Sequence, residues 1–193
     1  MDRLWTPWRY AYVTKTGDYA KGKGRKGVPK ELEAWPDEKD CVFCNMLGAT
    51  EWAVASGTMS REDAERASHI VLQAEHNFVC LNAFPYTSGH LMIVPYQHLQ
   101  SLAELPAEAA SEMMQLAQRA ERVLRTTYKP DGLNLGMNMG ESAGAGVAEH
   151  IHLHALPRWV GDNSFMGVTA ETRVLPEMLD QTWERLRSSF AAQ

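Results

Sequence analysis

Cysteine is scarce in this chain: three residues among 193 are too few for the disulfide framework of a small secreted domain. Long apolar runs are missing as well. No stretch approaches the roughly 20 residues that a membrane-crossing helix needs, so the sequence predicts a soluble protein with no membrane partner. Positive charge is in deficit, with 19 Lys and Arg against 24 Asp and Glu, a net charge of −5 and a pI of about 5.8. That balance gives no long-range attraction to a nucleic-acid backbone, and a phosphate-bearing ligand must be held locally. The opening segment MDRLWTPWRYAYV lacks the apolar stretch of a secretory signal and reads as mature protein. The chain shows no internal repeat and no regular strand–helix–strand alternation, which argues against a doubly wound parallel sheet.

Its length suits one domain with a full core, here residues 1–193. Residues 1–40 divide into an aromatic arm, LWTPWRY, expected to dock onto the core, and a loop rich in Gly, Lys and acids. That loop carries Lys21, Lys23, Arg25 and Lys26, a solvated basic cluster. Residues 45–68 suggest a short helix and a surface segment, in which SREDAERAS offers a capping serine with acids in the first turn. HIVLQ, NFVCLNAF and GHLMIVP are short β-rich runs separated by turn formers. Next, LPAEAASEMMQLAQRAERVLRTTY places Met113, Leu116, Ala117, Ala120, Val123 and Leu124 at helical spacing behind Pro106. GLNLGMNMG and HIHLHALP supply two more strands, and Leu179, Trp183 and Leu186 mark a terminal helix within a C-terminal extension, residues 160–193. The expected fold is α+β, with an antiparallel five-stranded sheet, one long central helix and a C-terminal helix.

Only seven histidines are present, yet three fall at alternate positions in EHIHLHALPRW. On a strand, His150, His152 and His154 share one face while Ile151, Leu153 and Ala155 pack on the other. Three imidazoles on one face need a partner such as a metal, an anion or each other. They could be metal ligands, or a nucleophile with its supporting groups. The preceding MNMGESAGAGVAEH favours an anion, because Gly140, Gly144 and Gly146 leave backbone N–H groups unobstructed around phosphate oxygens.

HIHLHAL resembles the His-φ-His-φ-His-φ-φ signature of the histidine triad superfamily of nucleotide hydrolases and transferases. The likeness extends to CVFC, NAFPYTSGHLMIVPYQH, GMNMG and PRW, about residues 41–159. LWTPWR, AGAG, PRWVGDNSF and RVLPE are similar to the bacterial branch related to diadenosine tetraphosphate phosphorylases, or ATP adenylyltransferases. The resemblance implies that His152 attacks an α-phosphorus, with its far ring nitrogen donating to a backbone carbonyl near the third histidine. It implies that His154 and His90 bond phosphate oxygens together with Asn138 and the glycine segment, that Asn82 lies near the nucleoside, and that two subunits join their sheets. Trp159, just beyond the triad strand, is a further candidate for nucleotide contact. Hydrolytic branches carry Gln or Ser just before the triad, where this chain has Gly144-Ala145-Gly146-Val147. The missing polar side chain leaves room for inorganic phosphate as second acceptor.

Cys41 and Cys44 form a C-x-x-C pair, which in a chain without a signal points to metal or redox chemistry in the cytoplasm. With His98 and His150 they would make a tetrahedral, structural zinc site; buried thiols or a redox pair are the alternatives. Cys80 reads as core, and His69 and His76 as strand-end surface residues. The expected activity is phosphorolysis of diadenosine tetraphosphate by a homodimer. Hydrolysis of dinucleoside polyphosphates or phosphoramidates, a zinc-stabilised nucleotide-binding module, and a metalloenzyme using the three triad histidines are the alternatives.

Overall fold

The computed structural model describes residues 27–162 and 177–193. The aromatic arm, the basic cluster and residues 163–176 of the C-terminal extension therefore lie outside the described residues. Five strands form one antiparallel sheet in the order β1-β2-β3-β5-β4: β1 Ile70–Gln73, β2 Asn77–Leu81, β3 Leu91–Pro95, β4 Gly132–Met137 and β5 Leu153–Arg158. Four α-helices accompany it: α1 Val42–Ala55, α2 Arg61–Ala67, α3 Ala107–Tyr128 and α4 Leu179–Ala191. The fold is thus α+β as expected. Where one short helix was anticipated near residues 45–68, two occur, and the second is capped by Ser60, whose side chain accepts the Asp63 N–H.

The period-2 pattern of the central strands sorts side chains onto two buried faces. Val79, Leu81, Leu91, Ile93, Leu153 and Ala155 pack under α3, whose buried stripe includes the helical-period set anticipated from Met113 to Leu124. Phe78, Cys80, Met92 and Val94 point the other way, towards Cys41 and Phe43 of the α1 region. Burial of Cys80 pushes its thiol well above the usual range, consistent with a core role. Helix α3 ends at Lys129, which adopts the left-handed conformation (φ 47°) and passes its N–H to the Arg125 carbonyl.

The two outer strands differ. At β1, the Trp183 indole N–H donates to the Ile70 carbonyl at 2.8 Å and Arg187 donates to the Val71 carbonyl at 2.6 Å, so α4 closes that edge. At β4, Leu135 stays 48% exposed and Gly136 is exposed. Among the described residues no helix is long and apolar enough to cross a membrane.

Candidate active site

The triad straddles the beginning of β5. Ladder pairing with β3 starts at Ile93↔Leu153 and continues with Met92↔His154, so His150 and His152 precede the ladder while His154 lies within it. The alternation survives nonetheless: Ile151, Leu153 and Ala155 join the α3 core, and the three imidazoles turn the other way, all buried.

Around His152 the geometry fixes a tautomer. Its Nδ1 lies 2.9 Å from the His150 carbonyl oxygen; a carbonyl only accepts, so Nδ1 carries the proton and Nε2 keeps its lone pair. Burial holds the ring's pKa below the ordinary histidine value, partly offset by that carbonyl bond. The accepting carbonyl belongs to the first triad histidine, correcting the expectation of one near the third.

A second relay runs through His90. Its Nδ1 accepts the Tyr86 backbone N–H at 3.1 Å and lies 3.5 Å from Asn82 Nδ2. The proton of the neutral ring must then sit on Nε2, which faces His154 Nδ1 at 2.9 Å. His154 is left with its own proton on Nε2. Burial, reinforced by neighbouring His152, lowers the His154 pKa to about 4. His90, expected to touch phosphate directly, is 1% exposed and turns its Nε2 to His154. Gly89 makes this placement possible: its φ is +78°, and a Cβ there would lie 2.7 Å from the Tyr128 ring.

Asn82 also accepts the Phe84 N–H through Oδ1 at 2.9 Å and passes its own N–H to the His90 carbonyl at 3.0 Å. It is therefore held beside the relay. Asn138 follows β4 and is half-buried. In the glycine segment, Gly140 (φ 84°) and Gly144 (φ 91°) frame a 3-10 turn, in which the Gly144 N–H bonds the Glu141 carbonyl and the Ala145 N–H bonds the Gly140 carbonyl. Those two donors stabilise the loop itself, a restriction on the anion cradle expected from the glycines. Gly146 is exposed. An open cleft of about 580 Å³ runs beside this turn, lined by Gln100, Ser101, Met139, Gly140, Glu141, Ala148 and Glu149. Trp159 sits elsewhere, edge-on to Tyr128 at 6.4 Å.

Cys41, Cys44, His98 and His150 converge, their donor atoms all within 4.8 Å of one another. Cys41 Sγ lies 3.3 Å from His150 Nδ1, and Cys44 Sγ is 3.4 Å from His98 Nδ1 and 3.7 Å from His150 Nδ1. A tetrahedron with metal bonds of about 2.1–2.3 Å has edges of about 3.4–3.8 Å, so the donor set fits a metal ion such as zinc. His150 Nε2 donates to the Pro95 carbonyl at 2.9 Å, which leaves Nδ1 as the free lone pair facing the sulfurs. Burial, and then Cys41, push the Cys44 thiol up to about 11. Burial takes His150 down to about 4, opposed by its Pro95 bond and aided by His98 and His152. The partly buried Cys44 thiolate would need a compensating cation beside it.

Two aromatic residues at the site were not anticipated. Phe43, inside CVFC, lies 4.9 Å from the His152 ring and 5.4 Å from His150. Tyr86 lies 4.7 Å from His90 and 6.2 Å, nearly parallel, from His154. Both stand within motifs whose cysteines and glycine drew attention first.

Residues 63–160 match the HIT domain family model. The chain is 38% identical over 124 residues to an AP-4-A phosphorylase of Mycobacterium tuberculosis, an alignment covering 64% of each chain. It therefore spans somewhat less than two thirds of that relative's length. An uncharacterized HIT-like protein of the same organism is 33% identical over 154 residues, 79% of this chain and 94% of its own. Among solved structures, a Zn-bound histidine triad family protein from Mycobacterium smegmatis superposes with a TM-score of 0.55 at 29% identity, covering 79% of this chain and 94% of that one.

Proposed function

The chain belongs to the histidine triad (HIT) family, and from this premise we propose that it is a nucleotidyltransferase or hydrolase of that kind, which cleaves diadenosine tetraphosphate by phosphorolysis through His152. The single observation that carries the reading is the His152–His150 carbonyl bond, which leaves Nε2 unprotonated. Nε2 forms a bond to the α-phosphorus as the bond to the bridging oxygen breaks, and ATP departs. Inorganic phosphate then attacks the adenylyl-histidine, the P–N bond breaks, and ADP leaves with the imidazole restored. His154, carrying its proton on Nε2, stabilises charge on the phosphoryl oxygens, and His90 holds His154 in that tautomer. Asn82 beside the relay, Asn138, Gly144 and Gly146 line the nucleotide side of the site. Trp159, packed on Tyr128, is the outermost contact in this reading. The small residues Gly144-Ala145-Gly146-Val147 ahead of the triad, and similarity to the Mycobacterium tuberculosis phosphorylase, support phosphate as acceptor.

Cys41, Cys44, His98 and His150 would hold zinc, which when bound ties the start of α1 to the triad segment. The similarity to a Zn-bound relative supports this assignment. The open β4 edge suits pairing with a second copy, giving a homodimer of single domains in the cytoplasm. The deciding experiment incubates purified protein with diadenosine tetraphosphate with and without phosphate. ATP plus ADP, only with phosphate, is expected. ATP plus AMP regardless of phosphate would make it a hydrolase, and no cleavage would overturn the substrate assignment.

A further inference from the structure

His152 stands ahead of the β5 ladder, which begins at Leu153, so sheet hydrogen bonds do not set the direction of the His150 carbonyl on which its tautomer depends. That segment is held instead by the Ile151 N–H on the Leu99 carbonyl at 2.8 Å, by His150 Nε2 on the Pro95 carbonyl, and by His150 Nδ1 against the two sulfurs. The other flank of the His152 ring rests on Phe43 at 4.9 Å, with the planes inclined at 55°. Phe43 is buried and lies between Cys41, the N-cap residue of α1, and Cys44 in its first turn. Cys41 makes no capping hydrogen bond with its side chain; besides the packing of Cys41 and Phe43 with Phe78, Met92 and Val94, the cysteine–histidine contacts tie this helix start directly to the triad segment. Backbone carbonyl and aromatic flank, two of the supports that orient His152, thus both issue from the four-residue cluster.

We infer that the cluster and Phe43 form one brace, in which metal occupancy orients the His152 imidazole and Phe43 is a positioning residue for the reaction. The inference rests on the zinc and nucleophile assignments above. It treats the metal as a determinant of the nucleophile's orientation, rather than as a support for the fold alone.

The test uses full-length protein loaded with zinc, and the same protein after chelation, with metal content measured and secondary structure checked by circular dichroism. Long-range proton–nitrogen spectra of the histidine rings should show His152 as a single Nδ1–H tautomer when loaded and as a mixture once zinc is removed. His90 and His154 should keep their signals. In loaded protein, Phe43→Leu should retain zinc, lower kcat about ten- to a hundred-fold with KM unchanged, and broaden or shift the His152 ring signals. If chelation unfolds the chain, this variant decides alone: a wild-type kcat and an unaltered His152 spectrum would overturn the inference. Zinc removed with the His152 tautomer intact would overturn the coupling while leaving both assignments standing. Failure to retain zinc at all would strike the metal assignment, and the inference with it.

Discussion

Nε2 of His90 lies 2.9 Å from Nδ1 of His154, and because His90 Nδ1 accepts the Tyr86 N–H, the proton between the two rings belongs to His90. Replacing His90 by Ala removes the donor that holds His154 in its working tautomer. The expected outcome is a fall in kcat of about a hundred-fold with little change in KM. Steady-state kinetics on folded protein check it.

His152→Ala should abolish turnover and, with labelled substrate, leave no acid-labile adenylylated protein. His154→Ala should slow formation of that adduct rather than prevent it. Rapid quench of single turnovers separates the two, and a labelled His152→Ala protein would remove His152 from the nucleophile's role.

One zinc per chain should copurify. Cys44→Ser removes a donor from the tetrahedral set and should reduce zinc content by elemental analysis and lower the melting temperature. Unchanged metal content in that variant would argue against the assigned donors.

Glu112 of α3 gathers the turn between β1 and β2: it accepts the Glu75 N–H at 2.8 Å, the His76 N–H at 2.9 Å and Asn77 Nδ2 at 2.7 Å. Partial burial alone would raise its pKa, but the hydrogen bonds from Asn77, His76 and Glu75 outweigh that and hold it below the ordinary carboxyl value. A depressed folded pKa contributes stability that is present above the unfolded pKa and is lost as pH falls through the folded one. Glu112→Ala should therefore cost about 1–3 kcal/mol near neutral pH, and the difference from wild type should shrink in acid. Urea denaturation at pH 7 and at pH 3 tests both magnitude and direction.

Much of this architecture is legible in residue order because burial obeys simple periods. HIHLHA alternates, and its aliphatic members pack under α3; Met113 through Leu124 repeat at helical spacing and form the facing stripe. The C-x-x-C pair and two distant histidines also meet as their chemistry suggests. The missing parts depend on separations that no period encodes. That β5 begins at Leu153, that His90 turns its Nε2 to another imidazole, and that Phe43 contacts His152 follow from how α1 and the β2–β3 turn settle on the sheet. Backbone donors in the glycine segment were visible as glycines, but their use within a 3-10 turn was not.

The closed edge of β1 sets a limit on growth. Trp183 and Arg187 occupy carbonyls that another strand would otherwise claim, so if the sheet pairs through β4 as proposed, growth at β1 is blocked and the assembly stops at two. A chain ending before residue 179 would lose this cover from β1, and pairing could then continue at both ends. The C-terminal helix, whose Trp183, Leu186 and Phe190 also belong to the main core, would in that reading be the terminator of the assembly.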